Sequence, residues 1–140
     1  MWNEYLSDQE AILFVNEAFY RAFADRDIEA MNNLWSNKVP VSCIHPGWPP
    51  LFDRCEILKT WKEILASSDA PDIRYRNENV NNFGDTASVI CIEELAEIVL
   101  AATNIFYREG SLWKIIHHQA GPTSAELQKD DRVMRIGSVH

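Results

Sequence analysis

A chain of 140 residues fits one domain, because domains most often have about 100–150 residues. Its composition is 46% hydrophobic and 24% charged, which is typical of a globular protein and excludes the disordered, collagen-like and coiled-coil classes. The 21 acidic residues outnumber the 13 basic ones and give a net charge of −8, so we expect no nucleic-acid partner.

The sequence also gives no sign of a membrane, metal or cofactor. No stretch approaches the ~18 consecutive apolar residues of a membrane helix, and the first residues do not resemble a secretory signal. The three cysteines are odd in number and lack CxxC spacing, so we expect free thiols in the cytoplasm. No phosphate-binding glycine loop, nucleophile elbow or HExxH motif is present, and the histidines lack ligand spacing. We therefore expect neither a metal site nor a cofactor.

Three helices are predicted in the first half of the chain. Residues Ser7 to Glu10 have the S-x-x-E form of a capping box, and an apolar stripe at helical spacing follows. Asp27 and Asp53 are predicted to cap a short second helix and a third one. Between them a strand-like run, Val39 to Ile44, meets a loop from His45 to Pro50, where three prolines exclude helix and central strand.

From Asp72 onward the apolar period changes toward two, which predicts strands. The predicted strands run from Ile73 to about Val80, from Thr86 to Leu95, from Ile98 to Tyr107 and from Leu112 to Gln119. Helices followed by neighbouring antiparallel strands predict an α+β fold, with the helices packed on one face of a curved sheet. Residues 1–122 are predicted to form the domain, and residues 123–140 a tail or a short helix.

Both faces of the predicted sheet are apolar. In the Thr86 strand, Val89 and Cys91 lie on one face, while Ile90 and Ile92 lie on the other. The helices can cover only one of these faces. We expect a second copy of the chain to cover the other face and form a homodimer, the alternative being cover by the C-terminal tail.

Three segments together resemble a known family: Ala24 to Met31, Cys43 to Trp48 and Gly110 to Gln119. In this order they resemble the nuclear transport factor 2-like superfamily, in particular its SnoaL-like branch. The resemblance implies a cone-shaped α+β barrel, in which a strongly bent, mixed sheet wraps the long helix around an apolar cavity. It also implies dimers through the convex sheet face. Activities in the superfamily include ketosteroid isomerase, scytalone dehydratase and polyketide cyclase, beside members that only bind or dimerise, so the fold does not settle the chemistry.

Two adjacent histidines in the last strand are the first candidates for chemistry. Adjacent strand residues point to opposite faces, so only one of His117 and His118 can enter a cavity. Lys114 prefers a wet or interface face and shares its parity with His118. This assigns His117 and Gln119 to the cavity, where His117 could act as acid or base. The alternative is a structural histidine near the mouth of the cone.

The proline loop and the end of the Thr86 strand supply further candidates. His45 stands where a strand enters the rigid loop, and Trp48 would form a lid or wall; the alternative is a loop that merely covers the core. The turn expected at Leu95 to Glu97 favours a solvated rim for Glu93 and Glu94. If the strand continues, Glu93 shares the face of Val89 and Cys91, and an apolar cavity would make it a general base.

Four more side chains are candidates for ligand contact: Asn104, Trp35, Tyr20 and Gln119. Asn104 lies in the middle of a strand and must find a hydrogen bond, either to the backbone, to a ligand or to His117. The aromatic residues could line a pocket or form simple core, and Tyr20 could present its hydroxyl inward as an oxyanion donor.

The sequence thus leads to two functional hypotheses. In the first, a homodimer binds a small hydrophobic or aromatic molecule and catalyses cofactor-free proton transfer on a carbonyl compound. His117 would be the acid–base group, with His45 or Glu93 as its partner. In the second, the domain is non-catalytic and serves dimerisation or ligand sensing. An open cavity of a few hundred Å³ favours the first, and a sealed aromatic core favours the second.

Overall fold

A computed structural model of the chain describes residues 7–68 and 72–126. The described elements are, in chain order, α1 (Asp8–Ala24), α2 (Ile28–Leu34), β1 (Ser42–Ile44), α3 (Arg54–Ala66), β2 (Ile73–Asn82), β3 (Thr86–Leu95), β4 (Ile98–Glu109) and β5 (Leu112–Pro122). Residues 123–126 are not helical. The remainder of the predicted tail or short helix lies outside the described residues.

The three predicted helix starts are confirmed by their caps. Ser7 accepts from the Glu10 backbone amide while the Glu10 side chain accepts from the Ser7 amide, which completes the capping box of α1. Asp27 and Asp53 each accept a hydrogen bond from the amide three residues later. These contacts satisfy backbone donors that the first turn of a helix cannot pair, and they fix where each helix begins.

The strands form one mixed sheet in the order β1-β5-β4-β3-β2. Strands β2 to β5 pair antiparallel. The short β1 pairs parallel with residues 117–119 of β5, and Ser42 lies opposite His117. Helix α1 packs against β2, β3 and β5. The α+β cone expected from the resemblance is therefore the observed fold.

A β-bulge in β5 determines which of its side chains face the helices. Phe106 of β4 pairs with Ile115, whereas the preceding Ile105 pairs with His117, so Ile116 is an extra residue in β5. The extra residue shifts the inward set by one position. Trp113 and Ile115 are buried before the bulge, and His118 and Ala120 are buried after it.

The core lies between α1, α3 and the concave face of the sheet. Its fully buried large side chains include Phe19, Tyr20, Trp35, Trp61 and Phe106. Among the described residues, no helix has the length and apolar character needed to cross a bilayer. The convex face carries partly exposed apolar side chains such as Ile90, which is 46% exposed.

Candidate functional site

A cavity of about 320 Å³ opens between α1, α3, the proline loop and the concave face of the sheet. Its wall is mostly apolar and combines aromatic and aliphatic side chains with two histidines and one carboxyl: Phe23, His45, Pro46, Trp48, Trp61, Ile64, Ser67, Glu93, Leu95, Leu100 and His118. The exposed residues Pro46, Trp48 and Ser67 mark its opening. Small-molecule sites have volumes of about 300–1,000 Å³, and the cavity lies at the lower end of this range.

Glu93 is the carboxyl in this wall. Strand β3 continues past it to Leu95, and Glu93 shares the inward parity of Val89 and Cys91. Its side chain is buried at 3% exposure, and burial raises its pKa to about 7, although a hydrogen bond from Tyr20 opposes the rise. The carboxyl is therefore close to half ionised at neutral pH, which suits a group that both takes and returns a proton.

The prediction that Glu93 and Glu94 lie on a solvated rim is wrong, because both side chains are buried. The expected turn does lie at Ala96 and Glu97, but β3 extends to Leu95, so both glutamates are paired within the sheet before the turn begins. Glu94 points to the face opposite Glu93 and accepts from Arg74 at 2.5 Å and from Arg76 at 2.7 Å.

A chain of buried polar side chains on four elements links Glu93 of β3 to His118 of β5. The Tyr20 hydroxyl, on α1, donates to Glu93 Oε2 at 2.5 Å and lies 3.2 Å from Cys91 Sγ. The Asn104 amide, on β4, donates from Nδ2 to the Tyr20 oxygen at 3.2 Å. Its Oδ1 is 2.6 Å from His118 Nδ1 on β5, the residue directly opposite it in the sheet. The two ends of this series, Glu93 and His118, both line the cavity.

The prediction that His117 and Gln119 face the cavity is wrong, and His118 takes that place. The bulge at Ile116 reverses the parity that was counted from Lys114. His117 lies on the other face, where its Nδ1 is 2.6 Å from Ser42 Oγ, and Gln119 is exposed. Burial lowers the pKa of His118 to about 3, helped by the nearby His45 and His117, so its imidazole is neutral at pH 7.

The proline loop brings His45 and Trp48 to the cavity. His45 is buried, its Nε2 is 2.9 Å from Thr60 Oγ1, and its ring meets Trp48 and Trp61 edge-on with centroids 5.0 and 4.9 Å apart. Since the Thr60 hydroxyl donates to the Ile57 carbonyl, its oxygen accepts from His45 Nε2–H. Burial lowers the pKa of His45 to about 4, so it is a neutral wall residue at pH 7. Trp48 is 44% exposed at the opening.

The other predicted contact residues lie behind the wall. Trp35 is 2% exposed, pairs with Ile115 in a short bridge and belongs to the core, so its predicted place in a pocket is wrong. Tyr20 does turn its hydroxyl inward, but its proton goes to Glu93. Asn104 bonds His118 instead of His117. In residues 7–68 and 72–126, no three His, Cys, Asp or Glu side chains come together as metal ligands.

Two residues of the site were missed by the sequence analysis. Asn16 is fully buried on α1 and accepts from Asn104 Nδ2 at 2.9 Å, and Thr60 holds His45. A signal for Asn16 was available, because it lies four residues after Ile12 and four before Tyr20, on the buried stripe. A polar residue on such a stripe needs a buried partner. Thr60 gave no comparable signal.

Comparison of the sequence with known proteins finds one domain family and one curated relative. The profile of the SnoaL-like domain matches residues 12–124. The F-box protein SKIP8 of Arabidopsis thaliana is 27% identical over 135 residues, which are 95% of this chain. The chain spans 57% of the length of that relative.

Solved structures share the fold. A structure from Streptomyces avermitilis, described as a proposed dehydratase of the NTF2-like family, is 34% identical with a TM-score of 0.77, over 84% of this chain and 97% of that one. A proposed calcium/calmodulin-dependent protein kinase type II association domain from Thiobacillus denitrificans is 22% identical with a TM-score of 0.72, over 88% of this chain and 100% of that one. At that identity the second likeness concerns the fold alone.

Proposed function

The chain belongs to the SnoaL-like domain family, within the NTF2-like superfamily, and from this premise we propose that its cavity binds a small apolar carbonyl compound and moves a proton on it without a cofactor. The observation that carries the proposal is the Glu93 carboxyl, buried in an apolar wall with a pKa of about 7. A base of this kind is matched to abstraction of a proton from carbon beside a carbonyl group.

The proposed reaction begins when ionised Glu93 takes a proton from the carbon next to the carbonyl. The electron pair of the broken C–H bond moves into the carbonyl group, which becomes an enolate, and the proton rests on Glu93. Where the enolate is conjugated with a C=C bond, return of the proton from Glu93 to the far carbon gives an isomer. Departure of a hydroxyl group from the neighbouring carbon, together with the proton from Glu93, gives a dehydrated product and water. Attack of the enolate carbon on a second carbonyl group of the same molecule gives a ring, and the proton on Glu93 passes to the new alkoxide oxygen.

The enolate oxygen needs a hydrogen-bond donor in the wall. Trp61 lines the cavity, and its indole N–H is enclosed without a hydrogen-bond partner among the described residues. We assign the indole N–H to the carbonyl oxygen of the substrate, which it meets once the ring shifts toward the cavity, because the nitrogen is enclosed in the structure. Tyr20 supports the reaction from behind, since its hydroxyl holds one oxygen of Glu93 and orients the other. The proposal thus moves the acid–base role from His117 to Glu93.

Two further features belong to the proposal. We propose that the chain forms a homodimer through the convex sheet face, and the partly exposed apolar side chains of that face support this. We also propose a cytoplasmic location, which the three unpaired thiols Cys43, Cys55 and Cys91 support.

A test of the proposal uses exchange of carbon-bound hydrogen for deuterium in 2-tetralone, an apolar aromatic ketone, followed by proton NMR in D₂O. The protein should accelerate exchange beside the carbonyl above the buffer background, and the rate should rise with pH around a midpoint near 7 because ionised Glu93 is the base. Glu93→Gln should lower the protein-dependent rate at least ~100-fold.

The matched control is Glu97→Gln, the same substitution at an exposed position just beyond the end of β3. This variant should exchange at the rate of the unmodified protein. The proposal fails if the unmodified protein gives no acceleration, or if Glu93→Gln exchanges as fast as Glu97→Gln.

A further inference from the structure

When Glu93 is ionised, the hydrogen bonds between Glu93 and His118 fix the position of each proton in the buried chain. A tyrosine hydroxyl has one proton, and the Tyr20 proton is donated to Glu93 Oε2 over 2.5 Å. The Tyr20 oxygen is thus an acceptor toward Asn104, and Asn104 must turn its Nδ2 toward it. Asn16 Oδ1 accepts the second Nδ2 proton at 2.9 Å, which supports the same orientation of the amide.

This orientation leaves Asn104 Oδ1 facing the histidine. An amide oxygen can only accept, so the 2.6 Å contact requires a proton on His118 Nδ1. The neutral imidazole then carries a lone pair on Nε2. The enclosed polar atoms that lack a partner in the described part of the chain are Asn16 Nδ2, Asn32 Oδ1, Trp35 Nε1 and Trp61 Nε1. His118 Nε2 is not among these enclosed atoms, and His118 lines the cavity. The lone pair on Nε2 is therefore open to a ligand in the cavity.

The charge of the wall restricts the ligand further. None of the described residues that line the cavity is Lys or Arg. A ligand carboxylate or phosphate would therefore lie near Glu93 with no cation to offset the repulsion, inside a mostly apolar wall. A neutral ligand avoids this cost.

We propose that Asn104 is a positioning residue that fixes His118 as a hydrogen-bond acceptor, and that the cavity therefore selects neutral apolar molecules carrying an O–H or N–H donor. Within the proposed function, this names the substrate class as hydroxylated or N–H-bearing aromatic carbonyl compounds. The inference rests on the proposed function only because it uses the same cavity. The cavity can bind ligands with an O–H or N–H group in preference to others without catalysing any reaction on them.

The first test is ¹⁵N NMR of the imidazole nitrogens of the full chain without ligand. His118 should show protonated Nδ1 and unprotonated Nε2 at pH 7. Asn104→Leu, which removes the acceptor, should lose the preference for this tautomer. Thr103→Val, one residue earlier in β4 and on the opposite face of the sheet, should retain it. A proton on His118 Nε2 in the unmodified protein overturns the proposal, even if the leucine variant does not fold.

The second test compares the affinity of three ring-matched probes by calorimetry: 2-naphthol, 2-methoxynaphthalene and 2-naphthoate. The naphthol should bind about tenfold more tightly than its methyl ether, since one buried hydrogen bond is lost in the ether, and the naphthoate should bind most weakly. Asn104→Leu should reduce the tenfold preference to threefold or less.

Equal affinities for naphthol and ether, tighter binding of the naphthoate, or no binding of 2-naphthol would each overturn the proposal. The outcome is separable from that of the exchange test. Preference for 2-naphthol without any exchange of 2-tetralone contradicts the proposed function alone, whereas exchange without the preference contradicts this inference alone.

Discussion

Two neighbouring glutamates show how far the surroundings of one residue type determine its chemistry. Glu94 is buried against Arg74 and Arg76, whose guanidinium groups compensate its charge. Among the described residues, the partners of Glu93, one residue earlier on the opposite face, are the Tyr20 hydroxyl and the apolar wall. Its carboxylate is therefore costly to keep in the fold, which is why its pKa is raised to about 7.

At this residue scale we predict that Glu93 makes the fold less stable as pH rises. Its pKa is about 7 in the fold against 4.5 for the ordinary group, so the native state binds more protons between these values. The contribution of Glu93 is thus fully favourable below pH 4.5 and is lost as pH rises through 7. At about 1.4 kcal/mol per pKa unit, the loss is of order 3 kcal/mol.

Glu93→Gln keeps an acceptor for Tyr20 and removes the ionisation. Its free energy of unfolding in urea should exceed that of the unmodified protein by about 1–3 kcal/mol at pH 8, and the two should agree near pH 4. Comparison with Glu97→Gln removes effects of net charge, because Glu97 is exposed. A difference that is absent at pH 8, or that grows toward low pH, would contradict the raised pKa.

At the scale of single elements, the caps of the helices were predictable and the bulge of β5 was not. A capping box needs only residues within one turn, so Ser7 and Glu10 are sufficient to predict where α1 begins. The bulge depends on pairing with β4. The adjacent residues Ile105 and Phe106 of β4 pair with two residues of β5 that are two positions apart. A uniform alternation counted along β5 therefore assigned the wrong histidine.

The sequence did contain a trace of the bulge. Counting inward positions forward from Trp113 selects His117, whereas counting back from the small residue Ala120 selects His118. The two counts agree only if one residue between them is extra, and Ile116 is that residue. By contrast, β3 alternates without interruption, and the parity of Glu93 with Val89 and Cys91 was predicted correctly from the sequence.

At the scale of the whole molecule, the order of helices and strands was enough to predict an α+β fold with a curved sheet, and the family resemblance added the cone. The resemblance implied an apolar cavity, but its volume and its lining residues could not be predicted, because they depend on how far the proline loop and α3 stand from the sheet. Nor could the polar chain, which joins Tyr20 on α1, Asn104 on β4 and His118 on β5. Such contacts are set by the packing of separate elements. The sequence offered Tyr20 and Asn104 as separate candidates and placed His118 on the other face, so it did not show that the three side chains join.

The convex face leads to a prediction about assembly. Ile90 is 46% exposed on a central strand of the sheet, and Ile92 and Ile105 lie partly exposed on the same face. If a second copy covers this face, light scattering at micromolar concentration should give twice the chain mass of 16.1 kDa. Ile90→Lys should halve the measured mass, because it would place a charge in the buried interface.

Leu112→Lys is the matched control for the assembly prediction, since Leu112 is 60% exposed at the β4–β5 turn, away from the centre of the face. This variant should retain the mass of the unmodified protein. A single-chain mass for the unmodified protein, or a double mass that survives Ile90→Lys, would contradict a dimer through the convex face.

The proposed function requires a carboxyl that is ready to exchange a proton inside the cone. Titration of the Glu93 side-chain carbon by ¹³C NMR, assigned by its disappearance in Glu93→Gln, measures this property without any substrate. We predict a midpoint near pH 7. A midpoint near 4.5 would mean that Glu93 is an ordinary solvated acid, and it would contradict the proposed base.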